Sequence, residues 1–405
     1  MPALDGMRIL DMTQYEAGPS ATQALAWFGA DVVKVEDAST GDPARGGDWM
    51  TPAYFMYWNA NKRSVALDLS TEGGRDLLLR LAPRFDVFVE NYGPGVVDKL
   101  DLGYDVLRAA NPAIIYASVK GFGLDGPYAD RKCFDGVAQA AAGALSVTGL
   151  PEGPPILPGP TTGDSGTGVQ LALAILAAYV QRLRTGEGQR IEVSMQEAMT
   201  YYLRTRVAMG GDWGKEPAPR TGNGWGALSN LYPCAPGGPN DWVMMMAITP
   251  RMFVATCEAI GRPELADDPR FARHKDRMEH AQELTDEITA WTRQRTKHEA
   301  AASLAAAGVP ASAVLDTRDL HNDPHLTARG FVVEIDHPEL GPVPMLGWAP
   351  RLSASEVAIT AAPRHGEHTR DVLTAELGLS QADVDSLLAD GVAAVPKDRP
   401  ADVAS

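Results

Sequence analysis

The sequence has few cysteines and no excess of basic residues. Its three cysteines, Cys133, Cys234 and Cys257, are widely spaced and form no CxxC pair, which argues against a disulfide framework and a cysteine zinc site. Its 36 lysines and arginines are outnumbered by 52 aspartates and glutamates, for a formal net charge of -16. Nucleic acids and anionic membranes bind basic surfaces. We therefore expect small molecules, not nucleic acids or membranes, as the partners.

Long hydrophobic runs are also missing. The longest apolar stretch, 169–180, is interrupted by Gln170 and is too short to span a bilayer. The first twelve residues carry acidic groups where a signal peptide has basic and apolar ones. We expect a cytoplasmic protein. With 405 residues, 45% hydrophobic and 22% charged, the chain has the composition of a folded protein with more than one packed unit.

Apolar strands alternate with helices over the first half of the chain. The predicted strands are 8–12, 31–35, 64–69, 86–90, 113–119 and 190–194. The predicted helices are 21–28, 72–81, 136–145, 165–183 and one from Met195. This alternation predicts an α/β fold with a parallel sheet covered by helices.

The composition changes at 210–226, where glycine, proline and tryptophan crowd together. We place a boundary there and divide the chain into a large domain (1–215), a smaller α+β domain (216–330) and a C-terminal segment (331–405). The predicted strands of the last two parts are 241–247, 331–335 and 343–346. Their predicted helices are 250–260, 281–295, 299–306, 369–376 and 381–388.

Three short motifs imitate known sites without completing them. The GxGxxG pattern at 121–126 is followed by Pro127 and by no helical stretch, so the helix N-terminus of a nicotinamide or flavin site is missing. The sequence 163–167 resembles a nucleophile elbow but lacks its second glycine. His365, Glu367 and His368 lie close together without a further strong ligand nearby. We expect no metal site.

Asp164 precedes four small residues and a long apolar helix. On local sequence this position favours an N-cap, whose carboxylate accepts hydrogen bonds from the first turn of the helix. The same position suits a nucleophile, because the helix dipole would keep the carboxylate ionised and the small neighbours leave access to it. The residue types leave both interpretations open.

Further motifs follow one another in a fixed order along the chain. They are LDG at 4–6, AGP at 17–19, GADVVKVE at 29–36, NKRS at 61–64, ENYGPG at 90–95, ASVKG at 117–121, GDS at 163–165, TGEGQ at 185–189 and GEHT at 366–369. With these motifs, nearly the whole chain resembles the family III CoA-transferases, which include formyl-CoA:oxalate and carnitine CoA-transferases.

The resemblance implies a ring-shaped subunit with a large Rossmann-like domain, to which the C-terminal segment returns, and an interlocked homodimer. It implies that Asp164 is a nucleophile as well as a cap, and that coenzyme A is bound as an acyl-CoA substrate without metal, nicotinamide or flavin. The implied CoA contacts are Glu16, Ala17, Leu67, Asp68, Leu69, Ser70, Asn91, Tyr92, Gly93, Lys99, Arg131, Lys132, Cys133 and Phe134. The implied substrate loop is Gly222, Asn223, Gly224, Trp225 and Gly226.

The chain departs from formyl-CoA transferases at several of these positions. Asp37 stands where they have an arginine near the adenine end of CoA, so another cation, Arg45 or Arg63, must help. Glu16 replaces a glutamine and Phe134 a tyrosine. The glycine loop carries a bulky Trp225, from which we expect an acceptor other than oxalate.

The resulting hypothesis is transfer of CoA from an acyl-CoA to a free carboxylic acid through an aspartyl anhydride and an aspartyl-CoA thioester. An α-methylacyl-CoA racemase is an alternative, but those related enzymes pair the aspartate with a histidine. Here no histidine precedes His274, and Phe134 stands at the matching position before Asp135, itself a predicted N-cap of helix 136–145. A second alternative is a non-catalytic CoA-binding protein in which Asp164 only caps its helix.

Overall fold

The structure is a computed structural model that describes residues 1–46, 51–338 and 340–397. The strands are β1 (Arg8–Met12), β2 (Asp31–Asp37), β3 (Arg63–Leu67), β4 (Val87–Glu90), β5 (Ile115–Lys120), β6 (Arg190–Ser194), β7 (Ser229–Pro233), β8 (Trp242–Met246), β9 (Ala311–Ala313), β10 (Val332–His337), β11 (Gly341–Leu346) and β12 (Ala393–Ala394).

The helices complete the element list. They are α1 (Ala17–Ala26), α2 (Pro52–Asn59), α3 (Glu72–Leu81), α4 (Val96–Lys99), α5 (Tyr104–Ala110), α6 (Asp135–Ala141), α7 (Ser165–Thr185), α8 (Met195–Tyr202), α9 (Arg204–Gly210), α10 (Pro250–Ala259), α11 (His274–Glu279), α12 (Ala281–Thr292), α13 (Lys297–Ala306), α14 (Thr317–Asn322), α15 (Pro324–Ala328), α16 (Thr369–Leu377) and α17 (Gln381–Ala389).

The chain divides into two compact units. The first contains Met1–Ala144, Leu157–Trp213 and the chain from Ala328 onward, and the second contains Leu145–Ile156 and Gly214–Thr327. The sequence did not indicate that Leu145–Ile156 would group with the second unit, because this short proline- and glycine-rich stretch looks like a simple connection.

The sheet of the first unit has the order β12-β3-β2-β1-β4-β5-β6. All neighbours from β3 to β6 pair in parallel, and only β12 runs antiparallel to β3. In the register of the central strands, Leu10 lies opposite Val33 on one side and Phe88 on the other. The order 3-2-1-4-5-6 reverses between β1 and β4, which is where doubly wound sheets bind ligands.

Both faces of this sheet are buried, as expected for parallel strands covered by helices. Successive side chains of β1 point to opposite faces. Ile9 belongs to the apolar cluster that also contains Leu25 of α1 and Leu171 of α7. Leu10 belongs to the cluster with Leu78 of α3 and Val372 of α16. These clusters hold the carboxyl ends of the strands in fixed positions.

Helices α1 and α7 cross closely on one face of the sheet. A Cβ atom at Gly168 would lie 2.0 Å from Ser20 Oγ and 2.8 Å from the carbonyl oxygen of Ala17. Only glycine allows this approach. The crossing brings the beginning of α7 next to the beginning of α1, so the residues that precede the two helices become neighbours.

The chain from Ala328 onward adds the β10-β11 hairpin, α16, α17 and the edge strand β12 to the first unit. His368 Nδ1 accepts a hydrogen bond from Ser64 N–H at 3.2 Å, and the His365 ring contacts the Asp37 carbonyl at 2.8 Å. These histidines thus fix the segment to β2 and β3. Within the described ranges, no group of three histidine, cysteine or acidic side chains could hold a metal ion.

The second unit contains the antiparallel sheet β7-β8-β9. Its core joins Tyr232 and Val243 of the sheet to Phe253, Leu284 and Leu304 of the helices. Several helices begin with clear capping signals. In α13, for example, the Thr296 side chain accepts from Glu299 N–H, and the Glu299 side chain accepts from Thr296 N–H.

The predicted α/β class and parallel sheet are confirmed, and β1, β6 and α3 have the predicted bounds. Helix α1 differs, because it begins at Ala17 and not at residue 21. Pro19 lies in its first turn, where a missing N–H costs no helical hydrogen bond. Over the described residues, none of the helices has the length and apolar character needed to cross a membrane.

Candidate active site

A cavity of about 310 Å³ opens where the loops after β1 and β4 meet. This is the point at which the strand order of the sheet reverses. Asp164 forms part of its wall. The lining consists of Gln14, Tyr15, Ala17, Asn91, Tyr92, Gly93, Pro94, Val96, Val119, Lys120, Gly121, Arg131, Lys132, Cys133, Phe134, Asp164 and Met195.

Reciprocal hydrogen bonds join the two loops. Gln14 N–H donates to Asn91 Oδ1, and the Asn91 side-chain amide donates back to the Gln14 carbonyl, each at 2.8 Å. The Gln14 side chain donates to the Tyr92 hydroxyl at 2.8 Å. Lys120 Nζ donates to the Tyr92 carbonyl and to Glu90 Oε2, each at 2.8 Å. The cavity wall is therefore rigidly built, and Lys120 is already paired with a carboxylate.

Buried charges support the loop after β1 from below. Lys34 Nζ donates to the Thr13 carbonyl at 2.7 Å and forms an ion pair with Asp42 at 2.7 Å. Asp42 Oδ1 in turn accepts from Tyr15 N–H at 3.2 Å. Tyr15 has a φ of +61°, which is unfavourable for a bulky residue and needs such support. Its ring packs edge-on against Phe134, with centroids 5.7 Å apart.

Asp164 does not cap α7, so this part of the sequence-based expectation is wrong. Its side chain makes no capping hydrogen bond. A helical turn already precedes α7, since Ser165 N–H donates to the Thr161 carbonyl and Gly166 N–H to the Thr162 carbonyl. These amides need no further acceptor. The Asp164 carboxylate is left to face the cavity.

Asp135 holds the turn that carries Asp164. Its Oδ1 accepts from the backbone N–H of Gly163 at 2.8 Å and of Asp164 at 3.3 Å, and its Oδ2 accepts from Gln139 at 2.7 Å. A Cβ atom at Gly163 would lie 2.8 Å from this Oδ1, so glycine permits the contact. The expectation that Asp135 caps helix 136–145 is wrong, because α6 starts at Asp135 itself and ends at Ala141.

Glu16 lies behind the cavity wall, 2% exposed, at the start of α1. Its Oε1 accepts from the Thr161 hydroxyl at 2.5 Å, and its Oε2 accepts from the Tyr54 hydroxyl at 3.2 Å. Thr161 is the residue whose carbonyl begins the turn around Asp164. Thr161 therefore connects the Glu16 carboxylate to the turn that carries Asp164.

Burial and neighbouring acids raise the pKa values of Asp164, Glu16 and Cys133. Burial raises the pKa of Asp164 to about 8, and the charges of Glu16 and Asp135 contribute. Burial likewise raises the pKa of Glu16 to about 6, against the lowering effect of its two hydroxyl donors. Burial and the nearby acids raise the pKa of Cys133 to about 11. Desolvation and the two neighbouring acids therefore oppose the ionisation of Asp164 that the sequence analysis expects from the helix dipole.

The cavity brings together most of the predicted CoA contacts. Those in its lining are Ala17, Asn91, Tyr92, Gly93, Arg131, Lys132, Cys133 and Phe134, with Glu16 buried behind them. Outside the lining are Leu67, Asp68, Leu69 and Ser70, which follow β3 near the edge strand β12, and Lys99, which is exposed at the end of α4. A CoA contact stays a prediction for all of these residues, inside and outside the lining.

The two cations suggested near Asp37 are already paired. Arg45 Nε lies 2.6 Å from Glu36 Oε2, and Arg63 Nη2 lies 2.6 Å from Asp31 Oδ2. A cavity of about 430 Å³ that Arg45 lines is also lined by Arg364, His365 and Lys397. This cavity supplies further cations that the sequence alone did not connect with this end of the sheet.

The predicted substrate loop lies in the second unit, directly before β7. A Cβ atom at Gly224 would lie 1.7 Å from the Ser229 carbonyl oxygen, and Trp225 N–H donates to that oxygen at 2.8 Å. Gly222 and Gly226 have positive φ values of 61° and 76°. Turn geometry alone thus requires these glycines. Contact of Gly222, Asn223, Gly224, Trp225 and Gly226 with a substrate stays a prediction.

The structure shows the backbone at two of the incomplete motifs, the 121–126 pattern and the stretch around Ser165. No helix starts after the third glycine of the 121–126 pattern, and the next helix of the described chain begins at Asp135. Ser165 Oγ donates to the Thr161 carbonyl at 2.9 Å, which ties this hydroxyl into the turn and not into a hydrolytic triad.

Sequence reasoning missed Tyr54, Thr161 and Gln139. Thr161 and Thr162 do carry a signal, because hydroxyl side chains just before a helix are common at its start. Gln139 carries one too, since it lies four residues after Asp135 on the same helix, the spacing at which helical side chains meet. Tyr54 carries none, because its partner Glu16 lies 38 residues away.

Comparison with known proteins agrees with this fold. A formyl-CoA:oxalate CoA-transferase of Streptomyces avermitilis is 44% identical over 96% of this chain and 99% of its own length. One from Streptomyces coelicolor is 42% identical over the same shares. The crystal structure of a CaiB/BaiF family protein from Brucella suis superposes with a TM-score of 0.82, 32% identity, and coverage of 92% of this chain and 99% of that chain.

The fold and these relatives define the class of the protein, which is a CoA-transferase enzyme. The sequence profile of CoA-transferase family III matches residues 4–369. The chain therefore belongs to CoA-transferase family III.

Proposed function

We propose that the enzyme transfers CoA between carboxylic acids through covalent intermediates on Asp164. The observation that carries this proposal is the Asp164 carboxylate, which faces a cavity at the switch point of the sheet and is not used as a helix cap. A nucleophile needs free lone pairs and access for the substrate. Asp164 has both.

Four steps complete one turnover. An Asp164 oxygen attacks the thioester carbonyl of the donor, giving a mixed anhydride and CoA thiolate. The thiolate attacks the aspartyl carbonyl, forming an aspartyl-CoA thioester and releasing the donor acid with the former Asp164 oxygen. The acceptor carboxylate attacks this thioester and again expels the thiolate. The thiolate then attacks the acceptor carbonyl, giving the new acyl-CoA and restoring Asp164.

The surroundings of Asp164 support this role. A carboxylate with a pKa near 8 is more basic, and so more nucleophilic, than an exposed aspartate. Asp135 fixes the turn through the N–H groups of Gly163 and Asp164, which orients the attacking oxygen. Its second oxygen is held by Gln139, so Asp135 is a positioning residue in this proposal.

The proposed position of CoA follows from the two cavities. The thioester would lie beside Asp164 in the 310 Å³ cavity, whose open side carries the cations of Arg131 and Lys132. The phosphate end would use the cations around the 430 Å³ cavity, among them Arg364 and Lys397. Phosphates favour arginine and lysine. An interlocked homodimer is part of the same proposal.

Trapping with hydroxylamine tests the nucleophile. The protein is incubated with formyl-CoA, treated with hydroxylamine, digested and analysed by mass spectrometry. We expect an aspartyl hydroxamate at residue 164 and none in Asp164→Asn. The matched control Asp125→Asn, at an exposed acid of the same unit, should give the wild-type result. A CoA-binding protein without catalysis would give no hydroxamate.

Deuterium incorporation tests the racemase alternative. Two bases on opposite faces of the α-carbon are needed for racemisation, whereas Phe134 cannot carry a proton and Asp135 is engaged on both oxygens. A chiral 2-methylacyl-CoA in deuterated water should therefore neither epimerise nor gain deuterium. Deuterium uptake that Asp135→Ala abolishes would favour the racemase over the transferase.

A further inference from the structure

Glu16 differs from the other buried carboxylates of the first unit in having no cationic partner. The others each contact a lysine or arginine: Asp11 with Lys62, Asp42 with Lys34, Glu36 with Arg45, and Glu90 with Lys120. Among the described residues, the polar contacts of the Glu16 carboxylate are two neutral hydroxyls, those of Thr161 and Tyr54. A buried carboxylate without a cation is costly. It needs a reason beyond stability.

The Glu16 charge acts on the reaction centre. Thr161 connects its carboxylate to the turn of Asp164, and the next residue, Ala17, lines the cavity together with Asp164. The charged groups that influence Asp164 are Glu16 and Asp135, both acids. Of the three cationic residues in the cavity lining, Lys120 is paired with Glu90, and Lys132 is exposed to solvent. The Arg131 guanidinium stacks on the Tyr128 ring at 3.8 Å.

We propose that Glu16 is a specificity-determining residue, which makes the site select monocarboxylic acids over dicarboxylic acids as CoA acceptors. This inference rests on the proposed function. The acceptor carboxylate must reach the Asp164 carbonyl, so a short diacid would hold its second carboxylate close to Asp164, where the negative charge of Glu16 already acts. Repulsion between two like charges in a partly buried site should reduce binding of the diacid by about one to two orders of magnitude.

The test uses pairs of acceptors with equal carbon number that differ in the second carboxylate. These are glyoxylate with oxalate, 3-hydroxypropionate with malonate, and 4-hydroxybutyrate with succinate. With formyl-CoA as the donor, the wild-type enzyme should have a kcat/KM about ten-fold or more higher for the monoacid of each pair. A wild-type preference for the diacids would overturn the proposal.

Two variants separate charge from packing. Glu16→Gln keeps an oxygen to accept from Thr161 but removes the charge, and should reduce the monoacid preference by about ten-fold or more. Glu16→Asp should retain the preference, and Asp125→Asn should match the wild type. An unchanged ratio in Glu16→Gln would contradict the proposal. If the wild-type enzyme transfers CoA to neither the monoacids nor the diacids, that result contradicts the proposed function and not the role of Glu16.

A pH series tests the proposal on the wild-type enzyme alone, so its outcome does not depend on whether a variant folds. Between pH 6 and 7 glyoxylate and oxalate both stay almost fully ionised, while Glu16, with its pKa near 6, gains charge beside Thr161, Tyr54, Asp135 and Asp164. The ratio of kcat/KM for glyoxylate over oxalate should therefore increase across this range. A flat ratio would count against Glu16 as its cause.

Discussion

Two groups of acids in the first unit differ in their partners. Asp11 is fully buried and lies 2.9 Å from Lys62. Burial alone would raise its pKa, but Lys62, Lys34 and two hydroxyls lower it to about 2. Asp164 is only partly buried, yet burial and two neighbouring acids raise its pKa to about 8. The difference in partners outweighs the difference in burial.

The comparison separates structural from functional carboxylates. Asp11, Asp42, Glu36 and Glu90 have cations at 2.6 to 2.9 Å and hold the loops around the cavity. Among the described residues, Glu16 contacts two hydroxyls, Asp135 contacts backbone N–H groups and the Gln139 amide, and Asp164 makes no side-chain capping hydrogen bond. Groups that stay uncompensated near a cavity are typical of reaction centres.

Replacing the nucleophile should have the largest effect. Asp164→Asn keeps the shape of the side chain but removes the attacking carboxylate, so CoA transfer should fall at least about 1000-fold. Steady-state assays with several acids would measure this, and Asp125→Asn should retain wild-type activity. Transfer at a near wild-type rate in Asp164→Asn would refute covalent catalysis by this residue.

Removing the cation of the buried Asp11–Lys62 ion pair should reduce the free energy of unfolding. Lys62→Met leaves Asp11 buried without its nearest cation and removes donors to Pro19 and Asn59. The free energy of unfolding, measured by denaturant titration, should fall by about 3 to 5 kcal/mol. Lys99→Met, at an exposed lysine, should change it by less than about 0.5 kcal/mol. Equal stability of the two variants would mean that the Asp11 pair is unimportant.

Loosening the Asp164 turn should reduce the rate without greatly changing binding. Asp135→Ala removes the acceptor for Gly163 and Asp164 N–H, and kcat should fall about 10- to 100-fold while KM for acyl-CoA changes little. Asp135→Asn retains an acceptor oxygen and should recover part of the rate. If Asp135→Asn is as slow as Asp135→Ala, the charge of Asp135 matters and its positioning role does not.

The activity should depend on pH through Asp164. A carboxyl group with a raised pKa is protonated and inactive below that pKa, so kcat/KM should increase with pH toward a midpoint near 8. Glu16→Gln removes a negative neighbour, which should shift this midpoint to lower pH. Rate profiles of the two proteins would show it. A higher midpoint in the variant would contradict the electrostatic account.

Replacing Asp164 should also change how the free energy of unfolding depends on pH. Because folding raises the pKa of Asp164 from about 4 to about 8, the unfolded state loses its proton first, and ionisation makes folding less favourable as pH rises from 4 to 8. Asp164→Asn removes this penalty. Its stability relative to wild type should therefore increase over that range by about 1 to 2 kcal/mol, after allowance for solvent screening. A loss of stability at pH 8 would instead indicate a missing cap.

The sequence predicts local elements well and their environment less well. The position of Asp164 before α7 follows from the run of small and apolar residues, and β1, β6 and α3 follow from periodicity. The order of the strands depends on contacts between distant segments, which one sequence does not reveal. The resemblance to CoA-transferases supplied what periodicity could not.

The errors have one physical cause. The expected caps at Asp164 and Asp135 assume that a carboxylate serves the helix beside it. In the folded chain the turn at Thr161 already occupies the amides of α7, and Asp135 binds N–H groups of Gly163 and Asp164, more than twenty residues away. Likewise, Lys120 lines the cavity, but its charge is paired with Glu90 of the neighbouring strand. The role of each of these side chains depends on the groups that it contacts, and those contacts are formed only in the tertiary structure.

Oxygen labelling shows whether the acceptor carboxylate forms a covalent intermediate with Asp164. In the proposed cycle, one oxygen of the acceptor carboxylate remains on Asp164 after each turnover. Enzyme that has turned over with formyl-CoA and an ¹⁸O-labelled acceptor is digested, and fragment masses locate the label within the peptide that contains both Asp135 and Asp164. We predict ¹⁸O at Asp164 and at no other acid. Turnover that leaves Asp164 unlabelled would contradict the account.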